Sequence, residues 1–230
     1  MGNKILNKNQ LNRMPLYLEM LKKYKKDGLF FVNCQTLADD LGLNQEQVKK
    51  DIAAVSTTSG IPNKGRDIYL LIRDLEQVLG YDDIHNAVLI GVGSLGKALL
   101  KYDGFKEFSL KIVGAFDNDE AKTNQIINNV RVNNINDFSK VFKNLNAKIG
   151  IICVDKEHAQ SVCDLLVNNG VQAIWNFVPI KLNCDENVIV SNTNMAANLA
   201  VLSHQLFLKK KEMKAKLEEN RIKGGSFNEV

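Results

Sequence analysis

Three glycines and an aspartate carry the most legible chemistry in this chain. The apolar run Ala87-Val88-Leu89-Ile90 breaks at Gly91-Val92-Gly93-Ser94-Leu95-Gly96, and a second run, Lys111-Ile112-Val113-Gly114-Ala115-Phe116, ends on Asp117. Each glycine has a mechanical reason to be there. Gly91 permits a tight turn out of a strand, Gly93 lets backbone approach a pyrophosphate, and Gly96 lets a following helix pack closely on that strand. The helix then begins with unpaired N–H groups aimed at the phosphates. Asp117, 21 residues past Gly96, falls at the tip of the second strand, where a carboxylate accepts both hydroxyls of an adenosine ribose. The pattern predicts a dinucleotide site. The acid favours NAD(H) over NADP, because a carboxylate repels a 2′-phosphate and no arginine follows it directly, although Lys122 lies nearby.

A second chemistry sits nearer the N-terminus. Asn44-Gln45-Glu46-Gln47 reads as a capping box opening a helix that turns Val48, Ile52 and Val55 inward. A short helix over Thr36 to Leu41, closed by Gly42, precedes it, and two such helices around a glycine turn form a helix-turn-helix. The second helix is the one that would enter a major groove, presenting Gln45, Gln47, Lys49 and Lys50. Glutamine reads base edges and lysine neutralises phosphate. The turn-rich stretch Ser56 to Arg66 has the size of a β-wing, with Lys64 and Arg66 as its cations. A small helical bundle with an ordinary polar face is the alternative reading of the same residues.

These groups need scaffolds to hold them, and 230 residues suit a small domain plus a medium one. With 45% hydrophobic residues both can have cores. Gln10 to Lys26 has helical spacing, Leu29 to Val32 is extended, and Tyr69 to Leu79 is another helix, so the first domain spans residues 1–80. From 81 to 193 apolar strands alternate with helical segments: 87–90, 111–117, 127–132, 147–154, 171–177 and 188–190, with helices expected near 95–102, 135–145 and 157–169. Continuous apolar strands suit a sheet covered on both faces. The fold class expected is α/β: an N-terminal winged helix-turn-helix, then a doubly wound parallel-sheet Rossmann domain, then a C-terminal helix. That helix, residues 194–221, is apolar in its first half and lysine-rich in its second, as a segment docking on a partner subunit would be. Residues 222–230 read as a tail.

The net charge of +4 is unevenly spread. Residues 1–80 carry +3, residues 81–200 carry −2 and the last thirty carry +3, which fits a polyanionic partner at the N-terminal module. No apolar run approaches the ~20 residues that span a bilayer, and the N-terminus lacks the apolar stretch of a secretion signal. The chain reads as soluble and cytoplasmic, with no membrane partner. Cys34, Cys153, Cys163 and Cys184 form no C-x-x-C pair, and His85, His158 and His204 show no ligand spacing, so no metal is expected.

Taken together, the segments resemble the Rex family of redox-sensing transcriptional repressors, from about Leu11 to Phe207. The resemblance rests on Arg13-Met14-Pro15-Leu16-Tyr17, Gln47-Val48-Lys49-Lys50-Asp51-Ile52, Gly91 to Gly96, Tyr102-Asp103-Gly104-Phe105, Phe116-Asp117-Asn118-Asp119 and Trp175-Asn176-Phe177-Val178-Pro179. It implies a homodimer that binds an inverted-repeat operator in double-stranded DNA and senses the NADH/NAD⁺ ratio, its terminal helix exchanged between subunits. It also implies a cofactor role for Asp119, Val154, Phe177 and Pro179 beside Asp117, with Phe177 next to the nicotinamide. Tyr102 would join both cofactor site and switch, the switch being completed by Arg13 and the position of Asn194.

The sequence departs from the family pattern at four places. Asn194 stands where the family has an aspartate, and an amide makes no charge-assisted bond. Asp155 replaces a proline in a loop expected beside the nicotinamide. Lys49 replaces an arginine and its bidentate fork. Ala53-Ala54-Val55-Ser56 and Ile61-Pro62-Asn63 replace an aromatic segment and a Lys-Arg-Gly wing. Two other functions stay open on sequence: a Rex-like NAD(H)-binding protein with altered DNA recognition or redox discrimination, and an NAD-dependent oxidoreductase. The leading reading is not an enzyme and assigns no catalytic residue.

Overall fold

The computed structural model describes residues 6–81 and 84–224, with side chains to 217. The expected tail beyond Gly224, the N-terminal five residues and the Asp82-Asp83 part of the interdomain linker lie outside that range. The described chain forms two units. One runs to Ile84 and takes in Lys106–Ser109; the other comprises His85–Phe105 and the residues from Leu110 onward.

In the first unit, helix α1 (Lys8–Lys26) starts at a capping box not anticipated from sequence. Asn7 Oδ1 accepts from Gln10 N–H while Gln10 Oε1 accepts from Asn7 N–H, satisfying two otherwise orphaned donors. Met14, Tyr17, Leu18, Leu21 and Tyr24 then recur on one face and are buried. They meet Leu37 and Ala38 of α2 (Cys34–Leu41), Val48 and Ile52 of α3 (Gln45–Val55), and Leu71 and Leu75 of α4 (Ile68–Val78) in one core. Helix α2 ends on Gly42, whose φ of 63° is the left-handed cap that favours glycine. Asn44 caps α3 through Gln47 N–H, 3.2 Å, but the reciprocal half of the expected box is not made by Gln47.

The wing's strands are β1 (Phe31–Val32) and β2 (Arg66–Asp67), paired antiparallel. Residues 56–65 link α3 to β2 and form an Ile61–Gly65 bridge. Gly65 has φ of 93°, and a Cβ there would run into the Val32 carbonyl, so this turn admits no other residue without strain. The buried carboxylate of Asp74 secures the start of the loop, accepting from Thr57 N–H at 2.6 Å and from its hydroxyl at 2.8 Å.

The second unit is built on seven strands in the order β5-β6-β4-β3-β7-β8-β9. These are β3 (His85–Ile90), β4 (Leu110–Asp117), β5 (Ile126–Ile127), β6 (Val130–Asn134), β7 (Ile149–Ile152), β8 (Ala173–Asn176) and β9 (Ile189–Asn192). All neighbours pair in parallel except the short edge strand β5, which turns back on β6. Alternation along β3 sorts its residues to the two faces. Ala87 and Leu89 join Leu100 of α5 (Ser94–Lys101) on one side; Val88 and Ile90 join Phe138 of α6 (Phe138–Phe142) and Leu166 of α7 (Ala159–Asn168) on the other. Helices on both faces make the sheet doubly wound, as the continuous apolar strands predicted. The helix expected over 135–145 is shorter: a 3₁₀ turn, Ile135–Asp137, leads into the five residues of α6. A long helix, α8 (Met195–Gly224), follows β9. Among the described residues no helix is long and apolar enough to cross a membrane.

Candidate nucleotide and DNA sites

The crevice at the carboxyl ends of β3 and β7 is the switch point of the sheet, since β3 leads to β4 on one side and β7 leads to β8 on the other. Gly91 turns the chain there with φ of 95°, and a Cβ on it would lie 2.5 Å from the Cys153 carbonyl oxygen. A Cβ on Gly96 would strike the carbonyl of Gly91, which explains the third glycine as a close helix–strand approach. Gly93, by contrast, faces open space. It is also the N-cap of α5 and offers no side chain to the helix's first amides. Those amides around Ser94 and Leu95 stay available to an anion, with the helix dipole behind them.

Asp117 closes the other side. Its buried carboxylate accepts from Val92 N–H at 2.7 Å and from Asp119 N–H at 2.9 Å. Lys122 Nζ lies 3.3 Å from the same group and 3.5 Å from Asp119. Partial burial would lower the Lys122 pKa, but the attraction of Asp117 outweighs it and the ammonium is held above its ordinary value. Asp119 also accepts from Ala121 N–H, so its side chain shapes the turn. A cavity of about 520 Å³ opens here, lined by Gly91, Gly93, Asp117 and Val154 of the sequence-predicted set. It is also lined by Ile135, Val162 and Leu165, apolar walls for a flat base, and by Asp155 and His158. Asp155 therefore lines the same cavity as Asp117 and Val154. Ile135, His158 and Leu165 come from separate segments and carry no motif, so only the fold could bring them forward.

Tyr102, Phe177 and Pro179 do not line that cavity. They belong to a second feature, an aromatic chain. Tyr102 packs on Phe105 (4.9 Å between centroids), Phe105 on Trp175 (5.9 Å) and Trp175 on Phe177 (4.5 Å). Trp175 is oriented by Nε1–H donating to Thr193 Oγ1 at 2.8 Å. The turn carrying Phe177 and Pro179 is fixed by fully buried Asn176. Its amide nitrogen donates to Val178 O, Ile180 O and Asn192 Oδ1, and its oxygen accepts from Val178 N–H. Gly104 completes the feature, because a Cβ there would collide with the Tyr102 ring. Asn194, expected in a switch with Tyr102, accepts from Ala197 N–H at 3.0 Å and so caps α8.

In the first unit, the exposed side of α3 presents Gln45, Lys49 and Lys50, with Lys49 3.7 Å from Glu46. Gln47 is half-buried and turned toward α1. With its carbonyl oxygen toward the guanidinium, it accepts from Arg13 Nη1 at 2.8 Å. Arg13 in turn donates to both oxygens of buried Asp51, at 2.7 and 3.1 Å, and Tyr17 OH donates to the same carboxylate at 2.8 Å. Burial alone would raise the Asp51 pKa, yet the bonds from Arg13, Tyr17 and Gln10 hold it below the usual carboxylate range. Arg13 is thus engaged within its own unit. Arg66 donates to Ser56 Oγ at 2.8 Å and to the Thr58 carbonyl, bracing the wing, while Lys64 is exposed with its ammonium over Phe31.

Comparison with known proteins agrees with both halves. Residues 8–53 match the family model described as putative DNA-binding protein N-terminus, and residues 82–180 match the one described as CoA binding domain. The redox-sensing transcriptional repressor Rex of Bacteroides thetaiotaomicron is 37% identical over 196 residues, covering 85% of this chain and 89% of that protein. Rex of Desulforamulus reducens is 36% identical over 201 residues, covering 87% and 95%. Among solved structures, the Rex-family repressor RSP in complex with β-NAD⁺ and operator DNA superposes with a TM-score of 0.83 at 28% identity, covering 94% of this chain and 98% of that one. RSP in complex with β-NADH gives 0.79 at 28%, covering 93% and 99%.

A helix-turn-helix unit and a Rossmann-type nucleotide unit in one chain define a class, the ligand-responsive DNA-binding regulator. Within that class, the chain belongs to the Rex family of redox-sensing transcriptional repressors.

Proposed function

We propose that this chain is a homodimeric repressor that binds an inverted-repeat operator and releases it in response to NADH, acting by binding alone in the cytoplasm. The observation that carries this reading is a ribose carboxylate, Asp117, already set by two amides, in the same chain as an exposed helix of glutamine and lysines. The backbone from Gly91 to Gly96 would hold the pyrophosphate, Asp117 the adenosine ribose, and the turn of Phe177 and Pro179 the nicotinamide. Gln45, Gln47, Lys49, Lys50 and Lys64 would face DNA, with Arg66 bracing the wing. The only chemistry asked of NADH is its charge and shape. His158 lines the Asp117 cavity, so with the nicotinamide at the Phe177 turn it would be poorly placed as the acid or base of a hydride transfer.

The dimer follows from α8. Met195, Leu199, Leu202, Leu206, Met213 and Leu217 recur at near-heptad spacing, and every described side chain of the helix is exposed, Leu199 by 67%. A seam of this kind is normally covered by another helix. Fluorescence anisotropy on an operator obtained by in vitro selection tests the whole reading. Tight binding, relieved by NADH at concentrations where NAD⁺ has little effect, is expected; failure to select any operator, or indifference to both nucleotides, would end it. Asn194 favours a second reading, in which the two cofactors bind equally, since its oxygen serves as a cap and carries no charge. Calorimetry with both nucleotides separates the two, because equal affinities cannot shift a population.

A further inference from the structure

Two of the four cysteines sit together. Cys163, on α7, is fully buried, and Cys184, in the segment between β8 and β9, packs against the same cluster close enough for the two thiols to influence each other. Cys184 is half-buried. Their meeting is held from both sides. Gln160 Nε2 donates to the Asn183 carbonyl at 2.7 Å, and Asn183 N–H donates to Gln160 Oε1 at 2.9 Å. The residue before Cys184 is therefore clamped to α7 one turn from Cys163. Neighbouring thiols on two segments clamped together in this way need only a local shift to reach disulfide length, ~2.05 Å. A metal does not explain the pair, because no group of three or more potential ligands occurs among the described residues.

We propose that Cys163 and Cys184 are a redox-active pair, an oxidation site through which a hydroperoxide acts on this protein independently of the nucleotide. Cys184, the partner that solvent reaches, takes the first step. Its sulfur attacks the O–O bond, an S–O bond forms, and an alcohol or water leaves with the thiol proton. Cys163 reacts poorly with peroxide itself, since burial, reinforced by Cys184, pushes its thiol up to about 12. Held against the new sulfenic acid, it attacks that sulfur, the S–O bond breaks and water leaves. Two electrons pass from the two sulfurs to the peroxide.

The resulting bond closes a loop that contains β8 and the Phe177–Pro179 turn. It also ties that loop to α7, which lines the nucleotide cavity through Ser161, Val162 and Leu165. Oxidation is thereby expressed on the cofactor's walls, a step that rests on the NAD(H) reading, whereas the disulfide itself does not.

The test uses the reduced full chain, titrated with hydrogen peroxide, alkylated and mapped by mass spectrometry, with NADH binding followed by fluorescence. Expected is loss of two hydrogens and one cross-linked peptide joining Cys163 to Cys184, unchanged in a Cys34→Ser/Cys153→Ser background. Cys163→Ala should accumulate a sulfenic acid at position 184 that a dimedone probe traps, and Cys184→Ser should leave Cys163 unmodified. NADH affinity should fall several-fold on oxidation and return on reduction. First modification at Cys34 or Cys153, or a disulfide between chains, would overturn the site. A correct disulfide with unaltered NADH affinity would overturn its link to the cavity, and a reduced protein that never binds NADH would instead count against the cofactor reading.

Discussion

If Gln47 faces DNA as proposed, a neighbour decides what it reads. Its carbonyl is committed to Arg13, so only the N–H₂ edge remains for a partner. An amide restricted to donating selects acceptors on a base edge, such as guanine O6 and N7 or thymine O4, over the cytosine amino group. Replacing Arg13 with leucine frees the carbonyl and should relax base preference at one operator position, by about 1–3 kcal/mol in discrimination, as read by selection and sequencing. The same cluster predicts a pH response. Asp51 has a depressed folded pKa, so its contribution is full above the unfolded value near ~4 and is lost as pH falls through the folded one. Amide exchange should show the first unit of wild type weakening in acid. Asp51→Asn should lose about 2–3 kcal/mol at neutral pH yet fall less on acidification.

Gln47 and Asp51 also mark what the sequence could and could not tell. The capping spacing at Asn44 was readable and half true, since Asn44 does cap α3. That Gln47 would desert the box for Arg13 depends on how α1 crosses α3, a tertiary fact without local signal. Asp117, by contrast, was readable because spacing along one strand-helix-strand unit fixes it.

At the scale of elements, turns set the geometry more than strands do. The Asn176 turn holds Phe177 through four hydrogen bonds within a buried site. Asn176→Ala leaves buried backbone groups unpaired and should cost about 1–3 kcal/mol per group left unsatisfied, measurable by denaturant unfolding, with weakened NADH binding. Gly104→Ala should push Tyr102 out of the aromatic chain while leaving the sheet intact, changing near-ultraviolet dichroism but not far-ultraviolet. The wing follows the same logic. Its length was legible from the Ser56–Arg66 composition, but its strand partner, Phe31–Val32, lies 34 residues upstream and pairs across the fold. The short α6 departs from the expected helix for a related reason: apolar residues from Ile135 to Leu145 suit a helix, yet a 3₁₀ turn opens the segment and only Phe138–Phe142 is α-helical.

For the molecule as a whole, the exposed seam of α8 makes assembly a matter of stability as well as function. Leu202→Glu/Leu206→Glu places two charges in that seam and should shift the protein toward monomer in analytical ultracentrifugation, abolishing operator binding while sparing NADH affinity. The alternation of strands with helices disclosed the sheet from sequence, and its two covered faces were legible because burial on both sides leaves continuous apolar runs. The extent of α8 was nearly as clear, but its sequence does not say what covers its apolar seam.

The carboxylate of Asp117 is wired to Val92 and Asp119 within its own chain, so on the proposed reading the adenosine end would be a finished mould. NADH and NAD⁺ are identical there and differ only in the ring at the opposite end. Whatever affinity the mould confers is granted to both in equal measure. Sensitivity and selectivity are thus set at separate addresses: damage near Asp117 should weaken both nucleotides by one common factor, while the ratio between them answers to the aromatic run from Tyr102 to Phe177.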